Sequence, residues 1–137
     1  MGDFRRINDV YTDMAHELIS EREELAGLRD ADIQIICLSS DHAKKSKDKK
    51  VLGQCEKIAD KYKWGIPCDF TITIFEPNII GFSEDQLRIL LFHELLHVGY
   101  DLEEDRKYIK PHDLEDFKII IDEFGTDWAK VDGLDDI

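Results

Sequence analysis

No stretch of this sequence approaches the roughly 20 consecutive apolar residues of a membrane-spanning helix. The opening MGDFRRINDV also lacks the apolar segment of a secretory signal. A helical membrane span is thereby excluded, and a cytoplasmic protein is expected. Gly2 follows Met1, but Arg6 stands where a myristoylation signal requires Ser or Thr, so no lipid anchor is expected. Cysteine is scarce. Cys37, Cys55 and Cys68 are odd in number, form no CxxC pair and sit among apolar neighbours, which argues against a disulfide framework and for buried reduced thiols. Positive charge is short as well: 18 Lys and Arg against 31 Asp and Glu give a net charge of −13. Such a chain repels phosphate backbones and anionic lipid, so neither non-specific nucleic-acid binding nor membrane association is expected. Lys44, Lys45, Lys47, Lys49 and Lys50 are a local exception, read as a solvated loop without assigned function.

What is present fits one compact domain. A chain of 137 residues with 42% hydrophobic content can enclose a single core, and no repeat or linker divides it. Apolar residues at Ile7, Tyr11, Met14, Leu18 and Leu25 carry helical spacing, with Gly27 as the expected stop. Ile33 to Leu38 reads as a buried strand, and Val51 to Trp64 as a strand followed by a turn. Phe70, Ile72 and Ile74 alternate with Thr71 and Thr73 as a half-buried strand. A second helix opens at Ser83 with Gln86 three residues on, the two halves of a capping box, and Gly99 is its expected end. Leu114, Phe117, Ile120, Ile121 and Phe124 form the stripe of a last helix, capped by Asp113 and ended by Gly125. The expected class is α+β, with a mixed sheet of about three strands, an N-terminal helix, a buried central helix and a C-terminal helix.

Chemistry enters in the central helix. His93 and His97, four residues apart, fall on one helical face with Glu94 beside them, in the sequence HELLH. Neutral imidazoles suit zinc, and a catalytic zinc takes three protein ligands and leaves a position for water, which then ionises near neutral pH. Glu94 has the chemistry to take that proton as general base. The surroundings strengthen the reading: Ile89, Leu90, Leu91, Phe92, Leu95, Leu96 and Val98 are all apolar, so the motif supplies the only polar groups in an otherwise apolar stretch. An internal control stands at His16-Glu17-Leu18-Ile19-Ser20, where the second imidazole is missing and the helix has an ordinary polar face.

The third ligand must lie downstream. The metzincin pattern fails, because Gly99 comes two residues after His97 and position 103 is Glu103. His112, the next imidazole, leads; Asp113, Asp101, Glu103, Glu104 and Asp105 remain open, with Asp113 also able to orient His112. Tyr100 and Tyr108 flank the loop and have phenols able to donate to an oxyanion, but they pack equally well.

HELLHVGYD followed by KPHDLEDF and by Gly125-Thr126-Asp127-Trp128 resembles the phage-type metallopeptidase family, a minimal zincin-like group, over about residues 31–128. The resemblance implies a zincin-like domain holding one zinc ion on His93, His97 and His112, with Glu94 as base and a peptide or protein as substrate. The function expected is therefore zinc-dependent peptide-bond hydrolysis. Two other readings stand beside it: a metal-stabilised binding module without turnover, for which Glu94 would be dispensable, and a regulatory protease that cuts one host or phage protein.

Overall fold

The computed structural model describes residues 5–47, 49–101, 103–111, 118–124 and 128. Its elements run β1 (Arg5–Ile7), α1 (Asp9–Glu21), α2 (Ala26–Asp30), β2 (Ile35–Ser40), β3 (Lys44–Ser46), β4 (Lys49–Val51), β5 (Gly53–Lys57), β6 (Phe70–Phe75), α3 (Glu84–Leu96), β7 (Val98–Asp101), β8 (Arg106–Ile109) and α4 (Lys118–Phe124). The fold is mixed α+β. The main sheet has four strands in the order β1-β2-β6-β5, one more than the sequence led us to expect; β3-β4 and β7-β8 form separate two-stranded ribbons. Sequence patterning missed β1 because it is only three residues long and largely exposed.

β6 lies inside the sheet, parallel to β2 on one side and antiparallel to β5 on the other. Its alternation of Ile and Thr was read as half-buried, yet all six residues are buried. One face, Phe70, Ile72 and Ile74, meets the helices. The other is roofed by Arg5, whose Nη1 donates to Thr73 Oγ1 at 3.2 Å and Glu56 Oε1 at 2.7 Å and whose guanidinium lies over the Phe75 ring. An extended ligand cannot add to β6, because both of its edges are already paired. The outer strand on that side is β5, which β8 approaches without pairing with it. Leu52 O accepts from Phe75 N and Ile58 N donates to Asp69 O, so even-numbered positions face β6. Gly53, Cys55 and Lys57 thus turn their backbone N–H and C=O outward, where no described strand pairs with them.

α1 starts where Asn8 Oδ1 accepts the Tyr11 N–H at 2.9 Å, and it buries Tyr11, Met14, Ala15 and Leu18 against the sheet and α3. It stops at Glu21, with Arg22 extended, and not at Gly27, which lies within α2. The expected capping box of α3 is complete: Ser83 Oγ accepts from Gln86 N at 3.1 Å and Gln86 Oε1 accepts from Ser83 N at 2.9 Å. The helix ends at His97 rather than Gly99. Gly99 is instead in β7, where an added Cβ would fall 2.5 Å from the Tyr108 ring, so the close packing of β7 on β8 requires glycine there. The lysine-rich loop is a ribbon, β3-β4, turning through Lys47 at positive φ. Among the described residues, no helix is long and apolar enough to cross a membrane. The expected cap Asp113, the stripe residues Leu114 and Phe117, and the stop Gly125 lie outside the described residues; Ile120 is fully buried and Phe124 meets Phe92 edge-on.

Candidate metal and catalytic centre

From Ile89 on, α3 is apolar except for the motif, so Glu94 is carried into the interior and His93 and the C-cap His97 are half-buried. Leu90, Leu91, Phe92, Leu95 and Leu96 are buried around them. His93 and His97 sit one turn apart with ring centroids 5.3 Å from each other and planes at 67°. Glu94 is only 5% exposed. Its Oε2 lies 3.9 Å from His93 Nε2, too far for a hydrogen bond.

The tautomer of His97 follows from its partner. Nδ1 lies 2.6 Å from the carbonyl oxygen of Lys110, and a carbonyl only accepts, so Nδ1 carries a proton and donates it. The Lys110 N–H in turn donates to His97 O at 2.5 Å, fixing the strand end that follows β8 against the helix end. A ring held through Nδ1–H by a backbone carbonyl is the arrangement that orients histidines which bind a metal through the other nitrogen. The donor chemistry of His93 and His97 thus fits a zinc ion. Among the described residues no third donor joins them. His112 and Asp113 lie outside the described residues.

Gly53 was read only as part of the strand that opens the segment 51–64, but it faces the carboxylate directly. A Cβ there would stand 3.3 Å from Glu94 Oε2, Glu94 Cγ and Thr73 O. Glycine leaves room for the carboxylate to lie against the edge strand. Cys55, two residues along the same face, has its thiol pKa pushed well up by burial and then by the Glu94 charge. Trp128 stacks obliquely near His93, ring centroids 6.2 Å apart. Its carbonyl accepts from Gln86 Nε2 at 3.1 Å, so the capping-box partner of Ser83 also holds Trp128 beside the first imidazole. Sequence offered a signal for Trp128 only through the family resemblance, and none for the Lys110 carbonyl, since backbone acceptors have no sequence signature.

Of the other candidates, Asp101 accepts the N–H groups of Glu103 and Glu104 in the turn between β7 and β8. Glu103, Glu104 and Asp105 are exposed on that turn, as a solvated face would be. Tyr100 Oη donates to Asp105 at 2.7 Å, and Tyr108 packs on Gly99. The ribbon is clipped to the sheet by Asp69, which accepts from Lys63 Nζ at 2.8 Å and Gln34 N at 2.8 Å and lies 3.5 Å from Lys107 Nζ. Burial alone would raise the Asp69 carboxyl, but these donors and cations outweigh it and hold the pKa below its ordinary value. A cavity of about 280 Å³ lies elsewhere, lined by Leu25, Leu28, Leu95, Leu96, Val98 and Tyr108 among others, and none of His93, Glu94 or His97 borders it.

A buried helix with two imidazoles and one carboxylate on adjacent positions has the donor set of a metal-dependent hydrolase. A family model described as "Putative phage metallopeptidase" matches residues 5–133, nearly the whole chain, and the protein belongs to that family. The match reaches well beyond the 31–128 region of the initial resemblance and takes in α1. Membership implies a metal cofactor and a peptide or protein substrate. No curated protein and no solved structure matches the chain.

Proposed function

We propose that the protein is a zinc-dependent metallopeptidase, with His93, His97 and His112 as ligands and Glu94 as general base. The observation that carries this reading is the buried Glu94 carboxylate on the same turn as two imidazoles, one of them oriented through Nδ1 by the Lys110 carbonyl. Burying an ionised carboxylate is costly, and a structural metal site has no use for one. Zinc, when bound, supplies a Lewis acid that acidifies water and polarises a carbonyl. Glu94 takes the proton of the attacking water and returns it to the leaving amine, a transfer favoured by its position against Gly53 and away from solvent. The peptide would run along the outer edge of β5, whose outward N–H and C=O groups at Gly53 and Cys55 begin beside Glu94.

Glu94→Gln tests the catalytic part: zinc content should be unchanged and hydrolysis lost. Hydrolysis surviving that change would favour the metal-stabilised binding module. His112→Ala tests the third ligand by a drop in zinc affinity of at least about tenfold, and unchanged affinity would remove His112 from the set.

A further inference from the structure

Between β5 and β6 the chain turns three large apolar side chains into solvent: Tyr62 at 51%, Trp64 at 90% and Ile66 at 40% exposure. Single exposed apolar residues are ordinary, but three within five positions mark a contact surface. The loop that presents them is closed beneath by its own backbone. Tyr62 N donates to Ala59 O at 2.9 Å, Gly65 N and Ile66 N both donate to Tyr62 O at 3.1 and 3.0 Å, and Cys68 N donates to Ile66 O at 2.9 Å. Lys63 Nζ bridges Asp60 and Asp69 at 3.4 and 2.8 Å and pins the loop to the start of β6. Trp64 therefore stands out from an ordered turn, and little further ordering is needed on binding.

Charge narrows the partner. In a chain of net charge −13, residues 57–68 carry three lysines and one acid; Lys63 is taken up by Asp60 and Asp69, which leaves Lys57 and Lys61 as the cations of this corner. Lys61 Nζ lies 5.1 Å from the Tyr62 ring centroid, so cation and aromatic face are presented together. A membrane or a nucleic acid would meet the strong negative charge of the rest of the molecule; a short apolar and acidic protein segment would meet only this corner. Position narrows it again. β5 starts at Gly53 against Glu94 and leads straight into the loop, so six extended residues, about 20 Å, separate the candidate catalytic carboxylate from Ala59.

We propose that the Tyr62, Trp64 and Ile66 loop is an exosite that docks an extended, apolar and acidic segment of a protein substrate and feeds it along the outer edge of β5 to Glu94. This rests on the peptidase reading above. It implies a requirement for length: about six residues on one side of the cut must be present before the loop contributes.

The test uses the full chain carrying Glu94→Gln, so that the probes are not consumed. Three sets of labelled synthetic peptides about 16 residues long, enough to span the edge and the loop, are compared by fluorescence anisotropy: apolar with acidic residues, apolar with basic residues, and acidic with serine in place of the apolar residues. The first set should bind at least tenfold tighter than either other set, and adding Trp64→Ser should erase that preference with zinc content and melting temperature unchanged. Equal affinities across the sets, or a preference that survives Trp64→Ser, would overturn the exosite. So would a stable dimer that Trp64→Ser dissociates, because the loop would then be covered by a second copy. The two readings fail separately. Peptides bound by the Glu94→Gln chain but left uncut by the wild type would remove the peptidase and keep the docking surface, whereas cutting indifferent to Trp64→Ser and to peptide length would remove the exosite alone.

Discussion

The molecule carries the letters His-Glu-Leu twice on a helix, and the two copies behave differently. On α1, His16 and Glu17 are exposed: a ring nitrogen of His16 lies 3.2 Å from Ile35 O, and Glu17 pairs with Arg88 at 2.7 Å with its side chain 53% exposed. On α3, His93 and Glu94 sit in a helix with buried residues on almost every side, and Glu94 touches the edge strand through a glycine. α1 buries one stripe and shows water the rest, whereas α3 is wedged against the sheet and α1 together. Identical side chains become an exposed ion pair in one place and a candidate metal centre in the other, so burial and the second imidazole carry the information.

The sharpest break of that comparison is a pair of isosteric changes. Glu94→Gln should lower kcat by about 10²–10⁴-fold or more, as loss of a general base does, while Glu17→Gln should leave turnover unchanged and alter stability by less than about 1 kcal/mol, as for an exposed ion pair. Steady-state hydrolysis and thermal melts read both. A smaller effect is expected at Gly53. Gly53→Ala pushes on Glu94 Oε2 and Cγ at 3.3 Å, so activity should fall roughly tenfold with zinc retained, as misplacement of a catalytic group does; α1 has no equivalent contact, and Gly27→Ala, with open space around it, should cost nothing in activity.

The segments downstream of the two helices differ too. α3 leads into the ribbon that Asp69 clips down through Lys107, and Asp69→Asn should destabilise the fold by about 1–3 kcal/mol near neutral pH. Because the folded pKa of Asp69 is lowered, its contribution is present above the ordinary value of 3.8 and is lost as pH falls through the folded value. The gap in melting temperature between wild type and Asp69→Asn should therefore be widest near neutral pH and close in acid. Gln86→Ala removes both the capping partner and the donor to Trp128 O, for about 1 kcal/mol measured by chemical denaturation. The smallest effect expected is none: Ser20→His completes an HExxH on α1, and after dialysis the protein should bind no additional zinc, since two imidazoles on an exposed helix lack a third donor.

Much of this was legible in the residues. The capping box at Ser83 and Gln86, the apolar surround of the HELLH helix and the alternation of β6 all rest on local periodicity or side-chain chemistry, which sequence exposes directly. The strand count, the interior position of β6 and the edge position of β5 depend on pairing between distant segments, which periodicity does not encode. Gly53 and the Lys110 carbonyl escaped for the same reason: one matters for the side chain it lacks, the other for a backbone oxygen, and both act only once strand and helix have met. Gly27 and Gly99 were read as helix stops because glycine often ends helices, but Gly27 continues into a second short helix and Gly99 makes room for Tyr108.

The central claim is that His93 and His97, and not the copy on α1, hold a metal. Its most direct test is metal analysis of the dialysed protein beside His16→Ala and the double variant His93→Ala, His97→Ala. The account predicts one zinc per chain in the wild type and in His16→Ala, and none in the double variant. A wild type without metal after zinc loading, or a double variant that keeps its zinc, would contradict it.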